Sequence, residues 1–167
     1  MKKVLLVAIL ALFASLFGEL KLGYINADKI MTEYSEAKKA QEDLRKWNME
    51  KEKEAMKLQE EIKKLEEELK NMSMMLSDDK KREKMENGQK KLIEYQQFKE
   101  SIWGAQGEFY KQSELLNKPV LDKINLAIKK VSEDNGYDFV FDATNGSLVY
   151  SKSDYDITDK VLLELNK

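Results

Sequence analysis

The segment LQEEIKKLEEELKNM, residues 58–72, places an apolar side chain at every third or fourth position. The apolar residues are Leu58, Ile62, Leu65, Leu69 and Met72, spaced 4-3-4-3. This spacing is typical of a helix that packs along one seam against a second helix. The intervening residues are mostly Glu and Lys, so the other faces of the helix should meet water. The segment therefore predicts one arm of a long helical pair.

The same spacing continues on both sides of this segment. Upstream, Ala37, Ala40, Leu44 and Trp47 are spaced 3-4-3, and downstream Leu76 follows Met72 by four residues. The outgoing helix should thus run from about Ser35 to Leu76, far beyond the mean helix of about three turns. Its surface carries the pairs Glu60/Lys64 and Glu66/Lys70 at i,i+4, a spacing that allows ion pairing.

A turn near residues 74–79 should reverse the chain. Ser77 is a good helix N-cap, and Asp78 and Asp79 suit the positive end of the next helix dipole. The return helix is expected to reach Asn117. Its seam residues are expected to be Met85, Leu92, Tyr95, Ile102, Phe109 and Leu116. Gly88, Gly104 and Gly107 weaken a helix by up to about 1 kcal/mol each, so this arm should be flexible.

The two ends of the chain contain strand signals. Leu20 to Asn26 predicts a first strand, and Asn26 or Asp28 could cap the helix after it. Pro119 should kink or restart the return helix, and Asn135-Gly136 should end it. Residues 137–142 and 148–150, separated by a turn, predict a β-hairpin. Asp156-Ile157-Thr158-Asp159 should then open a last helix.

Composition favours a binding or structural role over catalysis. The 167 residues include no His and no Cys, which removes the commonest catalytic and metal-binding side chains. No phosphate-binding loop, dinucleotide fingerprint or nucleophile elbow occurs, so we expect no enzyme activity, no catalytic or metal residues and no cofactor. The charge is nearly balanced, at 29 basic against 31 acidic residues, which argues against nucleic acid as a partner.

The N-terminus predicts export. Lys2 and Lys3 precede an apolar run from Val4 to Phe17, which is too short to span a bilayer comfortably. We expect a signal peptide over residues 1–18, cleaved after Gly18, with Ala14 or Ser15 as alternative sites. A retained membrane anchor is the competing interpretation. Cleavage would remove two lysines and leave 27 basic and 31 acidic residues, a net charge of −4.

These elements predict a mainly α protein with a small β portion. Residues 36–116 would form a helical-hairpin arm, coiled-coil-like, with its tip near 74–79. Residues 19–35 and 117–167 would form a discontinuous body that contains the strands. About 70 residues lie close to the lower limit for an independent core, so this body is expected to gain stability by oligomerising.

The C-terminal block resembles the Skp (OmpH-like) family of periplasmic chaperones. The resemblance rests on residues 137–143, on Leu148-Val149-Tyr150, and on Asp156-Ile157-Thr158-Asp159-Lys160-Val161-Leu162. Gly23-Tyr24-Ile25-Asn26, the two arms, the Leu76-Ser77 turn and Asn117-Lys118-Pro119-Val120-Leu121 follow in the family's order. The arms are weak markers, because any charged coiled coil has a similar sequence. The strand-containing block is the specific part.

The resemblance implies a periplasmic homotrimer that works without ATP. Three strand-containing ends would join into a body, and three helical arms would enclose a cavity that holds unfolded outer-membrane β-barrel proteins. Better-known members look strongly basic, whereas this mature chain would be net −4. That difference argues against lipopolysaccharide or membrane contact and against electrostatic capture of acidic clients.

The candidate client-binding residues lie at the tip and on the return arm. Methionine is flexible and is over-used on surfaces that bind many partners. Met72, Met75 and Leu76 either close the seam or contact clients, whereas Met74 lies off the seam and should be exposed. Phe98, Trp103 and Tyr110 either pack across to the outgoing arm or face a client. The candidates are Met72, Met74, Met75, Leu76, Met85, Phe98, Trp103 and Tyr110.

A second function class remains open at this point. An envelope-anchored structural or adaptor coiled coil would bind one defined partner and would not suppress aggregation in general. A rigid spacer of that kind would avoid the glycines at 88, 104 and 107, so the sequence favours the chaperone.

Overall fold

The computed structural model describes residues 20–72, 75–146 and 148–167, with Met72 described by its backbone. The predicted signal peptide and Met74 lie outside these ranges. The described elements, in chain order, are β1 Leu22–Ile25, α1 Ala27–Glu33, α2 Ser35–Met72, α3 Asp78–Trp103, α4 Glu108–Asn135, β2 Phe139–Asp142, a 3-10 turn Ser153–Tyr155 and α5 Thr158–Leu165. Long helices with one small sheet confirm the predicted mainly α class.

The described chain divides into two compact units. One consists of residues 20–34 and 123–167, and the other of residues 35–122. We refer to them as the sheet unit and the arm unit.

The predicted helix ends are confirmed where a local signal determines them. The Asn26 side chain accepts a hydrogen bond from the Lys29 N–H at 2.8 Å and caps α1. The Ser77 hydroxyl accepts from the Lys80 N–H at 3.4 Å and caps α3. Gly136, at φ +66°, takes the left-handed conformation that ends α4. These signals act within a few residues, which is why sequence reveals them.

Helices α2 and α3 form an antiparallel hairpin within the arm unit. Lys91 Nζ lies 3.0 Å from Glu61 Oε2, and Lys84 pairs with Glu68. Nearer the other end, the Trp103 indole N–H donates to the Asn48 side chain at 2.8 Å. The predicted seam of α2 is confirmed in the described residues. Ala37, Ala40 and Ala55 are buried, and Leu44, Trp47, Leu58, Ile62, Leu65 and Leu69 are half-buried.

The predicted seam of α3 is wrong for Met85 and Leu92, which are exposed. Tyr95 and Ile102 do face inward, as predicted. The half-buried and buried positions of α3 are Lys81, Lys84, Gly88, Lys91, Tyr95, Phe98 and Ile102, spaced 3-4-3-4-3-4. Lysine can occupy such positions because its methylene stem covers apolar surface while its ammonium reaches a carboxylate on α2.

Of the two outcomes predicted for Pro119, a kink or a restart of the helix, the restart is wrong. Helix α4 continues through Pro119, and the return segment is interrupted instead between Trp103 and Glu108. Proline removes the hydrogen bond to the carbonyl four residues earlier, that of Leu115. Leu115 is well exposed, so water can satisfy this carbonyl. A Cβ at Gly104 or Gly107 would lie only 2.3–2.4 Å from a carbonyl oxygen of the preceding turn.

Gly88→Ala and Gly107→Ala should change the free energy of unfolding in opposite directions. A Cβ at Gly88 meets no atom within 4 Å, so Gly88→Ala should stabilise the arm by about 0.5–1 kcal/mol. A Cβ at Gly107 would lie 2.4 Å from the Ile102 carbonyl oxygen, so Gly107→Ala should destabilise the protein. Urea unfolding followed by circular dichroism measures both changes. Equal effects of the two variants would contradict the assigned roles.

The sheet of the sheet unit is parallel, and the predicted hairpin is wrong. β1 pairs with β2 in register Leu22↔Phe139 to Ile25↔Asp142, although more than a hundred residues separate the two strands. Residues 148–150 form no strand. Gly23 lies in a close approach, since a Cβ there would lie 3.2 Å from the Tyr137 ring, which would have to shift slightly.

The segment Asp156-Ile157-Thr158 joins the other side of β1. The Ile157 N–H donates to the Tyr24 carbonyl at 2.9 Å, and Tyr24 and Asp156 form a parallel bridge. The Thr158 hydroxyl accepts from the Asn26 N–H at 2.9 Å and donates to the Asp156 carboxylate. Thr158 is 1% exposed. This block therefore connects the end of β1 to the start of α5.

Thr158→Val should destabilise the sheet unit by about 1–2 kcal/mol, because the part-buried Asn26 N–H loses its acceptor. Thr158→Ser keeps the hydroxyl and serves as the control, with a smaller loss for the missing methyl group. Denaturant unfolding of both variants measures the difference. If the valine variant were as stable as the serine variant, this hydrogen bond would contribute nothing.

Candidate functional site

One face of the α2–α3 hairpin carries an open apolar groove, which we call the arm groove. Its apolar walls are formed by Met56, Ile62, Leu69, Met85 and Leu92. Two adjoining depressions of about 660 and 620 Å³ make up the groove, and both are lined by Ile62, Glu66 and Leu92. Gly88 lies in the larger depression and, having no side chain, leaves it open.

The arm groove exists because lysines occupy the seam of α3. Lys84 and Lys91 are turned toward α2 and pair with Glu68 and Glu61, so Met85 and Leu92 are left on the outer surface. Hydrogen bonds to Glu61 and then Glu94 raise the pKa of the Lys91 ammonium above its ordinary value. Lys91 therefore stays charged through neutral pH.

A second depression of the hairpin has a different chemistry. It has a volume of about 490 Å³, and Leu65 is the apolar residue in a lining that otherwise consists of Lys80, Glu83, Lys84, Glu86, Asn87 and Lys90. Lys80 and Glu83 pair at 2.7 Å within it. Hydrogen bonding to Glu83 raises the pKa of Lys80, and the same bond lowers the pKa of Glu83. The arm thus presents an apolar groove and an ion-paired depression, and Glu86 lines both.

The structure places the tip candidates in different surroundings. Met85 lines the arm groove and is 63% exposed. Met75, at the turn between α2 and α3, is 88% exposed, while Leu76 beside it is half-buried. The side chain of Met72 and all of Met74 lie outside the described residues.

The three aromatic candidates also differ. Trp103 packs edge-on against Phe98, with ring centroids 6.2 Å apart, and its hydrogen bond to Asn48 joins it to α2. Phe98 is half-buried in the seam. Tyr110 is 63% exposed. Phe98 and Trp103 thus pack within the hairpin, the first of the two alternatives left open by the sequence. Tyr110 is exposed and available to contact a client.

Sequence reasoning missed four of the groove residues as surface candidates: Met56, Ile62, Leu69 and Leu92. Ile62 and Leu69 were assigned to the seam, and they serve both the seam and the groove wall. A signal was present, because Lys84, Gly88, Lys91 and Tyr95 keep strict 3-4 spacing. Treating lysine as an allowed seam residue would have moved Met85 and Leu92 to the surface.

The sheet unit carries a second exposed apolar surface, which we call the sheet face. It consists of Leu22 and Tyr24 on β1 and of Phe139 and Phe141 on β2. The residues between them in each strand, such as buried Gly23 and Ile25, point to the opposite face of the sheet. Phe139 and Phe141 stack with ring centroids 6.4 Å apart, and both are about half exposed. A groove of about 320 Å³ borders this face and is also lined by Leu20, Leu148, Tyr150 and Tyr155.

Among the residues that the structure describes, no group of three or more carboxylates lies close enough together to hold a metal ion. None of the helices in the described ranges has the length and apolarity needed to cross a membrane.

A family model and a solved structure both match this chain. The family model described as outer membrane protein (OmpH-like) matches residues 21–165. The crystal structure of a protein from Caulobacter crescentus, described as an outer membrane chaperone (OmpH-like), superposes with a TM-score of 0.75. The two chains are 14% identical, and the match covers 89% of this chain and 85% of the other. A search of curated proteins finds no match.

Proposed function

Because this chain belongs to the OmpH-like outer membrane protein family, we propose that it is a periplasmic holdase chaperone. It binds unfolded outer-membrane β-barrel proteins and prevents their aggregation without ATP. The single observation that carries this proposal is the arm groove, a solvent-exposed apolar surface on a long helical hairpin. Contiguous exposed apolar patches on soluble proteins often mark interaction sites when they are large and rimmed by polar residues.

The chemistry of the groove suits weak and replaceable contacts. Met56 and Met85 are unbranched and can adapt to client side chains of different shape. The groove is open along its length, so a client segment can enter and leave without a closing step. Holding would then depend on many weak contacts spread over one unfolded chain, and release on folding of the client elsewhere.

The client surface we propose extends beyond the groove to the exposed candidates of the arm unit. Met75 at the turn and Tyr110 on α4 are both largely solvent-exposed and would add apolar contacts. Phe98 and Trp103 would mainly support the arm, because Phe98 is half-buried and Trp103, although 36% exposed, packs on Phe98 and hydrogen-bonds Asn48.

We further propose that residues 19–35 and 117–167 form the body of a homotrimer. The sheet face supports this, since it leaves two phenylalanines and Leu22 in water in the single chain. In the described residues, β2 pairs on one edge with β1 and has no strand on its other edge. An open strand edge is a template for pairing with another chain. Val149 and Tyr150 add exposed apolar surface to the same unit.

A light-scattering assay tests the proposed holding function. A urea-unfolded outer-membrane β-barrel protein is diluted into buffer with and without the mature chain starting at Glu19, and no ATP is added. We expect scattering to fall and the effect to saturate near three chains per client. Scattering that persists at several-fold excess would reject the chaperone and favour an adaptor coiled coil held at the envelope.

A further inference from the structure

The rim of the arm groove is unevenly charged. Seven charged residues line its two depressions: Glu60, Lys63, Glu66, Asp78, Lys81, Arg82 and Glu86. Each base already has a carboxylate partner. Lys63 lies 3.9 Å from Glu67, Lys81 lies 3.6 Å from Asp78, and Arg82 lies 2.8 Å from Asp79.

The three rim glutamates have no such partner. Within the described residues, no ion pair is seen for Glu60, Glu66 or Glu86, and the i,i+4 pair predicted between Glu60 and Lys64 does not form. Glu60 and Glu66 come from α2 and Glu86 from α3. Carboxylates without an ion-pair partner therefore border the apolar groove from both helices, and Glu86 also borders the neighbouring depression lined by Lys80, Lys84 and Lys90.

We propose that the arm groove selects unfolded segments in which basic residues alternate with or flank apolar ones. This inference rests on the proposed holding function and names the class of segment that is held. Apolar side chains of the segment would cover Met85, Leu92 and Ile62, while its lysines or arginines would reach the rim glutamates. An apolar groove with acidic borders is the general chemistry by which proteins bind basic amphipathic segments.

The groove is long enough for a short segment of chain. Met56 and Leu69 are thirteen residues apart on α2, which corresponds to roughly 20 Å at 1.5 Å per residue. An extended chain covers this length with about six residues, of which about three point into the groove. One such site binds weakly, and selection arises from the charge at the rim rather than from a fitted pocket.

The test uses three fluorescent peptides and the mature chain. The peptides share one alternating apolar frame and carry Lys, Gln or Glu at the same intervening positions, and fluorescence anisotropy measures each Kd. We expect the Lys peptide to bind roughly tenfold more tightly than the Glu peptide at low salt, and this ratio to shrink as salt screens the charges. Equal affinities for the Lys and Glu peptides would overturn the inference.

A matched pair of variants assigns the preference to the groove. Glu66→Gln with Glu86→Gln removes two rim charges, whereas Glu50→Gln with Glu114→Gln removes two exposed charges that do not line the groove. The rim variant should bind the Lys peptide about two- to fivefold more weakly and the Gln peptide unchanged. The control variant should behave like the parent, and the same loss in both variants would overturn the assignment.

The scattering assay, run in parallel, distinguishes a failure of the proposed charge preference from a failure of the proposed holding function. If the mature chain suppresses aggregation but shows no charge preference among the peptides, the selection is wrong and the holding function stands. If the chain does not suppress aggregation, the holding function itself fails.

Discussion

Phe141→Asp is expected to convert the proposed trimer of the mature chain to monomer in sedimentation velocity while leaving its helicity unchanged. Phe141 is 47% exposed, stacks on Phe139 and borders the groove beside β1. An interface would desolvate it and would have to bury the new carboxylate without a partner. Hot-spot changes cost about 2 kcal/mol or more each, so three copies lose about 6 kcal/mol, roughly four orders of magnitude in the assembly constant.

The control for this variant is Phe141→Leu, which keeps an apolar side chain at the same position. It should remain trimeric at the concentrations where the aspartate variant is monomeric. Circular dichroism of both variants checks that the sheet unit still folds, as expected for a side chain that points into solvent in the single chain. A folded, fully trimeric aspartate variant would exclude the sheet face from the interface.

Local signals explain most of what the sequence predicts correctly. Asn26, Ser77 and Gly136 act within one turn of their own helix ends, and the seam of α2 follows from spacing along one helix. Each of these features depends on residues close together in sequence. They can therefore be predicted from the sequence without knowledge of the rest of the fold.

The errors have a common physical origin in contacts between distant residues. The composition of residues 148–150 favours a strand, yet composition does not specify a partner, and β2 instead pairs with β1 from the other end of the chain. Pro119 disfavours a helix locally, but α4 accommodates it at an exposed turn. In both cases the folded chain overrides a local preference, which is about 1 kcal/mol for strand composition and about 3 kcal/mol for proline inside a helix.

The candidate site was missed for the same reason. Hydrophobicity assigns Met85 and Leu92 to the seam, whereas the carboxylates of Glu61 and Glu68 on the opposite helix draw Lys84 and Lys91 inward. Which face of α3 is apolar and exposed therefore depends on residues of α2. The 3-4 spacing of Lys84, Gly88, Lys91 and Tyr95 is compatible with this face, but the acidic residues of α2 decide which of the two faces packs inward.

Met85→Ser combined with Leu92→Ser should weaken the holding of unfolded β-barrel proteins by at least roughly tenfold in apparent Kd. Both side chains line the arm groove and are exposed, so a bound client would cover them. Partial burial of two such side chains contributes about 2 kcal/mol, which corresponds to more than a tenfold change in affinity. Neither residue is in the seam, so helicity and thermal unfolding should stay close to those of the parent.

The matched control is Met49→Ser combined with Leu115→Ser, which removes one exposed methionine and one exposed leucine from the arm unit outside the groove. The scattering assay and a client titration compare the two variants with the parent. If apolar surface in general held the client, both double variants would lose similar affinity. If the groove is the site, the control keeps parental affinity, because Met49 and Leu115 do not line the groove. Lysines occupy the seam of α3, so the apolar side chains Met85 and Leu92 lie on the groove face instead.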